Sequence, residues 1–241
     1  MGNIKNRTLV ISDIHGCYDE FNKLLGMVNY SSSTDRLILL GDYIDRGKDS
    51  LKVLEFVREL NNKYGAITLR GNHDQMLLDW LKNPIENLYH YMQNGGMETI
   101  KSFIPGAENQ VLCWDTYMEW ANEIKLGYWE EFDFLSDLDY YYEDDKHIYV
   151  HAGINPNLAD WKNTNKEDFI WIREPFLNHK HSHSKTVIHG HTPCVYLHKK
   201  PDIYFREDKI AIDGACAYGH QLNCLEITEE GYKQYHVSKL K

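Results

Sequence analysis

The chain has 241 residues, is 42% hydrophobic and carries a formal net charge of -10. That is enough apolar material for one sizeable core. The acidic balance excludes broad nucleic-acid binding, which depends on releasing counterions to basic patches, but it leaves room for an anionic substrate, because divalent ions and a few arginines can reverse the sign locally.

At the start, Met1-Gly2 is followed by Asn6 where an N-myristoylation site wants Ser or Thr, so no lipid anchor is expected. No terminal stretch has the charged-then-apolar pattern of a signal peptide and no apolar run approaches a membrane span, so a cytoplasmic protein is expected. The first apolar run, Leu9-Val10-Ile11, leads into Asp13-Ile14-His15-Gly16. Leu37 to Leu40 leads into Gly41-Asp42-Tyr43-Ile44-Asp45-Arg46-Gly47, and Ala66 to Leu69 into Gly71-Asn72-His73-Asp74. Short, apolar, partly β-branched runs read as buried strands of a parallel sheet. Each string of metal-type ligands then sits at the C-terminal end of a strand, the edge where open α/β sheets bind ligands. Between the runs, the apolar positions of Tyr18 to Asn29 and Lys48 to Asn62 recur at helical intervals, as crossover helices would. Asp13, Asp42 and Asn72 are spaced about thirty residues apart, the length of one strand-helix-strand unit.

Residues 83–138 carry no ligand string and are rich in aromatics: Tyr89, Tyr91, Trp114, Tyr117, Trp120, Tyr128, Trp129, Phe132 and Phe134. Their spacing suits a mainly helical insertion near the site with its own small core, rather than a platform for a nucleobase. Two further strands precede histidines beside glycine, at Ile148-Tyr149-Val150-His151-Ala152-Gly153 and Val187-Ile188-His189-Gly190-His191-Thr192-Pro193. Glycine lets the backbone approach a site, and histidine supplies a neutral nitrogen ligand. Strand alternation points His189 and His191 to the same side. The run His179-Lys180-His181-Ser182-His183 reads as a solvated loop. In the tail, Tyr196 to His198, Ile203 to Arg206, Lys209 to Ile212, Leu222 to Ile227 and Tyr232 to Val237 read as antiparallel strands of a second sheet. One domain, residues 1–241 with the insertion, is expected. Cys17, Cys113, Cys194, Cys216 and Cys224 are scattered without Cys-x-x-Cys pairing, which points to a reducing cytosol and to Cys17 as a packing residue.

Five such strings in order, over roughly residues 7–215, make the chain resemble the PPP-type metallophosphatases of the calcineurin-like phosphoesterase superfamily, the protein Ser/Thr phosphatases with their bacterial relatives and the symmetrical dinucleoside tetraphosphatases. The resemblance implies a four-layer α/β/β/α sandwich of two mixed sheets flanked by helices. It implies two divalent metal ions, Mn²⁺ first, with Fe, Zn, Ni or Co as alternatives for nitrogen and oxygen donors. Asp13 and His15 would bind one ion, Asn72, His151 and His191 the other, with Asp42 bridging. The ligand position of the last string is the one after glycine, hence His191 rather than His189. His73, oriented by Asp45, would protonate the leaving group, and Arg46, Asn72 and Arg173 (in Trp171-Ile172-Arg173-Glu174-Pro175) would hold the phosphate.

The expected reaction is phosphoester hydrolysis by a metal-bridging hydroxide. The first reading of substrate is a phosphorylated protein, as for a Ser/Thr protein phosphatase-like phosphomonoesterase. The alternative is a dinucleoside polyphosphate such as Ap4A; the eukaryotic protein phosphatases carry Glu after Gly-Asn-His, and Asp74 in that place resembles both the bacterial and the dinucleoside-polyphosphatase branches. A third reading, a catalytically idle binding module, is disfavoured because every expected ligand position is filled.

Overall fold

The computed structural model describes residues 7–240. The Met1–Asn6 segment that bears on lipidation lies outside the described residues. In chain order, β1 (Arg7–Ile11), α1 (Tyr18–Met27), β2 (Asp35–Leu39), α2 (Ser50–Tyr64) and β3 (Ile67–Thr68) form two parallel strand-helix-strand units. Then come α3 (Asn72–Lys82), α4 (Pro84–Gln93), α5 (Gly96–Phe103), α6 (Trp114–Gly127) and α7 (Trp129–Asp137), so the segment read as an insertion is mainly helical. The strands β4 (Tyr141–Glu143) and β5 (His147–Val150), helix α8 (Lys166–Trp171), β6 (Thr186–His189), α9 (Cys194–His198), β7 (Tyr204–Phe205), β8 (Lys209–Ala211), β9 (Gln221–Thr228) and β10 (Gly231–Ser238) complete the chain.

Two mixed five-stranded sheets result, ordered β10-β9-β1-β2-β3 and β4-β5-β6-β8-β7. Period-two alternation assigns the layers. Leu9, Ile11, Leu37 and Leu39 pack with Phe21, Leu24, Val53 and Val57 of the covering helices. Val10, Ile38 and Leu40 face the other way, against Tyr149, Ile188 and Ile210 of the second sheet. On that sheet's outer face, Ile148, Val150 and Val187 pack with Phe169, Ile170 and Phe176. This is the expected α/β/β/α sandwich.

The tail differs from its expected role. Residues 196–198 lie in α9, because the left-handed His191 and the Pro193 that follows it break the extended path. The remaining tail strands divide between the sheets: β9 pairs antiparallel with β1, whereas β8 pairs parallel with β6. The histidine run is only partly solvated, since His181 is buried with its Nε2 2.9 Å from the Asp208 carbonyl oxygen. Of the insertion aromatics, Tyr91, Trp120 and Phe132 enter the core while Tyr89, Trp114 and Trp129 are exposed. All five cysteines are unpaired, four of them buried. Cys17 packs in the core, with the Lys239 ammonium 3.4 Å from its sulfur and 2.9 Å from Glu20.

Arg70, two residues beyond β3, ties the insertion to the first sheet. Its buried guanidinium donates to the Leu135 and Ser136 carbonyl oxygens in the last turn of α7, at 3.0 and 2.7 Å, and to Gln75 Oε1 at 2.7 Å. A cation there also meets the negative end of the α7 dipole. Arg70→Met keeps the stem but strands those carbonyls, so it should lower the unfolding free energy by about 2–4 kcal/mol. Urea denaturation at unchanged m-value measures it, and an unchanged midpoint would remove Arg70 from the account.

Candidate metal and phosphate site

The loops after β1, β2, β3, β5 and β6 meet at one edge of the sandwich, and close backbone approach makes this possible. A Cβ on Gly71 would lie 2.1 Å from Asp42 Oδ1, and one on Gly190 would lie 2.1 Å from Asp13 Oδ2. Asp13, His15, Asp42, Asp45, Arg46 and His191 all adopt positive φ, between 46° and 69°. Such strain collects where function fixes the backbone.

His15 Nδ1 is 2.7 Å from the Ile44 carbonyl oxygen and His151 Nδ1 is 2.9 Å from that of Leu40. A carbonyl only accepts, so each Nδ1 carries the proton and each Nε2 turns its lone pair to the site. His15 Nε2 then faces Asp42 Oδ2 at 3.3 Å. On the other side, His151 Nε2 lies 3.4 Å from Asp42 Oδ1 and 3.0 Å from Asn72 Oδ1. Asn72 Oδ1 is also 2.9 Å from His191 Nδ1, while His191 Nε2 is buried without a hydrogen-bond partner. Arg46 NH1 donates to His15 Nε2 and the His73 backbone N–H to Asp42 Oδ1 at 2.9 Å, but the remaining lone pairs of Asp42, Asn72 and His151 face one another, an arrangement that cations would satisfy. Asp42, His151 and His191 offer ligand atoms within 4.8 Å of one another, as do His15, Asp42 and His73. Burial would raise Asp42, but His151, His73 and His15 around it hold it well below the ordinary carboxylate range. Burial, with His151 and Arg173 nearby, keeps His191 well below the usual imidazole value and therefore neutral, as a ligand must be.

His73 stands on the first turn of α3 with Nδ1 2.7 Å from Asp45 Oδ2 and Nε2 4.0 Å from Asp42 Oδ2. The other Asp45 oxygen accepts from Thr99 Oγ1 at 2.6 Å and from the Tyr91 hydroxyl at 3.0 Å, both from the insertion. Burial lowers the His73 imidazolium against the pull of Asp42 and Asp45. Arg46 NH1 donates to His15 Nε2 at 2.5 Å, and its guanidinium lies 4.9 Å over the Tyr218 ring. Arg173 is exposed, close enough to His191 for its charge to be felt there. Asp13 accepts from the His191 backbone N–H at 3.0 Å, joining the two sheets at the site.

His189 and His191 point apart, contrary to simple alternation. The turn at Gly190 and the positive φ of His191 carry its ring to Asn72, whereas His189 packs 5.1 Å from the Phe176 ring on the outer face. Burial pushes His189 down to about 4. Two residues of the site escaped the sequence reading in their structural role. Asp74 accepts backbone N–H groups of Gly71, Asp42 and Tyr43 at 2.8, 2.9 and 3.1 Å, and burial beside Asp42 pushes it up to about 7. Asp213 is buried, and burial beside Asp13 holds its carboxyl well above the usual range. Its signal was present: an apolar strand followed by Asp213-Gly214, the pattern of the other loops.

A family model described as calcineurin-like phosphoesterase matches residues 6–224. The symmetrical bis(5'-nucleosyl)-tetraphosphatase of Nitrosospira multiformis is 31% identical over 149 residues, 62% of this chain and 44% of that protein. The asymmetrical bis(5'-nucleosyl)-tetraphosphatase PrpE of Oceanobacillus iheyensis is 26% identical over 245 residues, 92% of this chain and 89% of that one. The chain thus spans less than half the length of the first relative and most of the second. A crystal structure of a candidate diadenosine tetraphosphatase superposes with TM-score 0.68 at 19% identity, covering 100% of this chain and 97% of the other.

The division of labour around Asp45 is testable with p-nitrophenyl phosphate. His73→Ala should lower kcat by about 10²–10⁴-fold with metal content unchanged. Asp45→Ala, which removes the acceptor that fixes the ring, should lower it in the same direction, and the double variant should be little worse than His73→Ala alone. Elemental analysis supplies the check: a metal lost with the His73 ring would make His73 a ligand alongside His15 and Asp42.

Proposed function

From the premise that this chain belongs to the calcineurin-like phosphoesterase family, we propose that it hydrolyses dinucleoside polyphosphates at a dinuclear metal site. The observation that carries the metal site is the Asp42 carboxylate, one oxygen toward His15 and the other toward His151, shared by two clusters of buried donor atoms each within 4.8 Å of one another. Asp13, His15 and Asp42 would hold one divalent ion, and Asp42, Asn72, His151 and His191 the second. Their nitrogen and oxygen atoms suit Mn²⁺, with Fe, Zn, Ni or Co as alternatives. When bound, such ions neutralise the phosphoryl oxygens and lower the pKa of an attacking water.

The chain's own groups do the rest. Arg46 offers planar, paired donors to phosphate oxygens, better matched than a lysine point charge. Arg173 and the Asn72 amide complete the phosphate cradle. His73, its Nδ1–H held by Asp45, directs Nε2 into the site, where in its imidazolium form it would pass the Nε2 proton to the departing oxygen. For the substrate, support comes from relatives named as bis(5'-nucleosyl)-tetraphosphatases and from Asp74 after Gly71-Asn72-His73. These favour a dinucleotide over the phosphoprotein that a Ser/Thr protein phosphatase-like enzyme would take. Unpaired cysteines fit a reducing, cytoplasmic setting, and among the described residues no helix is long and apolar enough to cross a membrane.

After chelation and Mn²⁺ add-back, Ap4A should be cleaved only by the reloaded protein. Chromatography of the products then separates symmetrical cleavage, two ADP, from asymmetrical cleavage, ATP and AMP. Higher kcat/KM on a phosphoserine peptide than on Ap4A would reverse the substrate assignment, and full activity in a demonstrably metal-free preparation would sink the mechanism.

A further inference from the structure

A cleft of about 550 Å³ opens between α3, α4 and α8, lined by Gln75, Asp79, His90, Tyr140, Lys166 and Trp171 among others. It begins at the site. The Trp171 ring stands 5.8 Å from the His191 ring on one side and 5.8 Å from the His90 ring of the insertion on the other. It then follows one face of α3, because Asn72, Gln75 and Asp79 are separated by three and four residues and so stack along that face. Seven residues of helix advance about 10 Å from the donor cluster, a span suited to the ribose and base of a nucleoside whose phosphate sits at Asn72.

The chemistry of the walls is specific. Trp171 supplies a half-buried aromatic ring at the inner end, and Tyr140 a second ring farther out with the Lys166 ammonium 5.3 Å from its centroid. Gln75 is fixed in place, accepting from Arg70 at 2.7 Å and donating to Asp79 Oδ1 at 2.9 Å. Acidic Asp79 and Glu167 line the cleft together with Lys166 and His90, so the walls are of mixed charge and do not suit a second phosphate chain. Stacking rings, side-chain acceptors for hydroxyl or amino groups, and mixed charge together describe a surface for a neutral base and sugar.

We propose that this cleft is the nucleoside subsite, with Trp171 as the ring against which the purine stacks. The proposal rests on the dinucleotide reading of the site and names where one nucleoside lies. The test is calorimetric binding of AMP and of ribose 5-phosphate, which share the phosphate and differ in the base, to the Mn²⁺-loaded protein. AMP should bind at least about tenfold more tightly, since a base stacked on an aromatic ring is worth roughly that much. Trp171→Ala should abolish the difference, and Trp171→Phe, which keeps a ring, should restore most of it and exclude simple misfolding. Equal affinity for the two ligands, or a difference that survives Trp171→Ala, overturns the subsite whether or not Ap4A is cleaved. A Trp171-dependent preference for a phosphoserine peptide over AMP would likewise overturn it and give the cleft to a peptide. Base-dependent binding without Ap4A cleavage would instead overturn the proposed reaction and leave the subsite standing.

Discussion

The structure turns on the burial of one carboxylate. Asp42 is 1% exposed and has imidazole nitrogens on both of its oxygens. Asp13, Asp45, Asp74 and Asp213 are buried around it. Taking such charges out of water costs several kcal/mol each unless they are paired or hydrogen-bonded. Asp45 accepts hydrogen bonds from His73 and from hydroxyls of the insertion, and Asp74 from three backbone N–H groups. Asp42 accepts the His73 backbone N–H and Asp13 that of His191, and the lone pairs that remain on both are ones cations would satisfy. The glycines that let loops approach within a Cβ radius, and the positive φ angles at the donors, are the backbone consequence of that demand.

The sandwich is the device that meets it. The first sheet brings the loops of Asp13, Asp42 and Asn72 together, and the second delivers His151 and His191 from β5 and β6. The Asp13 carboxylate accepting the His191 N–H is a direct stitch between the two. The insertion is more than a cover, because Thr99 and Tyr91 reach Asp45 and so hold the ring of His73 in place through one intermediate residue.

Much of this was legible in the sequence because it is local. Apolar runs ending in Asp-x-His or Gly-Asn-His place ligands at strand ends whatever the rest of the chain does, and the helical period of Tyr18 to Asn29 and of Lys48 to Asn62 gives the crossovers α1 (Tyr18–Met27) and α2 (Ser50–Tyr64) to within a few residues. What was not legible depends on partners remote in sequence. Alternation in β9 and β10 looks the same whichever sheet they join, and only the pairing of β9 with β1 decides it. The opposite orientations of His189 and His191 come from a left-handed residue after glycine, which strand alternation does not anticipate. The burial of His181 requires the Asp208 carbonyl, and the role of Asp74 requires amides of the preceding loop. Asp213 is the exception: its strand-then-Asp-Gly signal was local and readable.

The central claim is that Asp42 sits between two cations, and anomalous diffraction from Mn²⁺-soaked crystals addresses it most directly. The account predicts two peaks in each chain, one beside Asp13 and His15 and one beside Asn72, His151 and His191, with one Asp42 oxygen toward each. A single peak, or two peaks with Asp42 ligating neither, would contradict it.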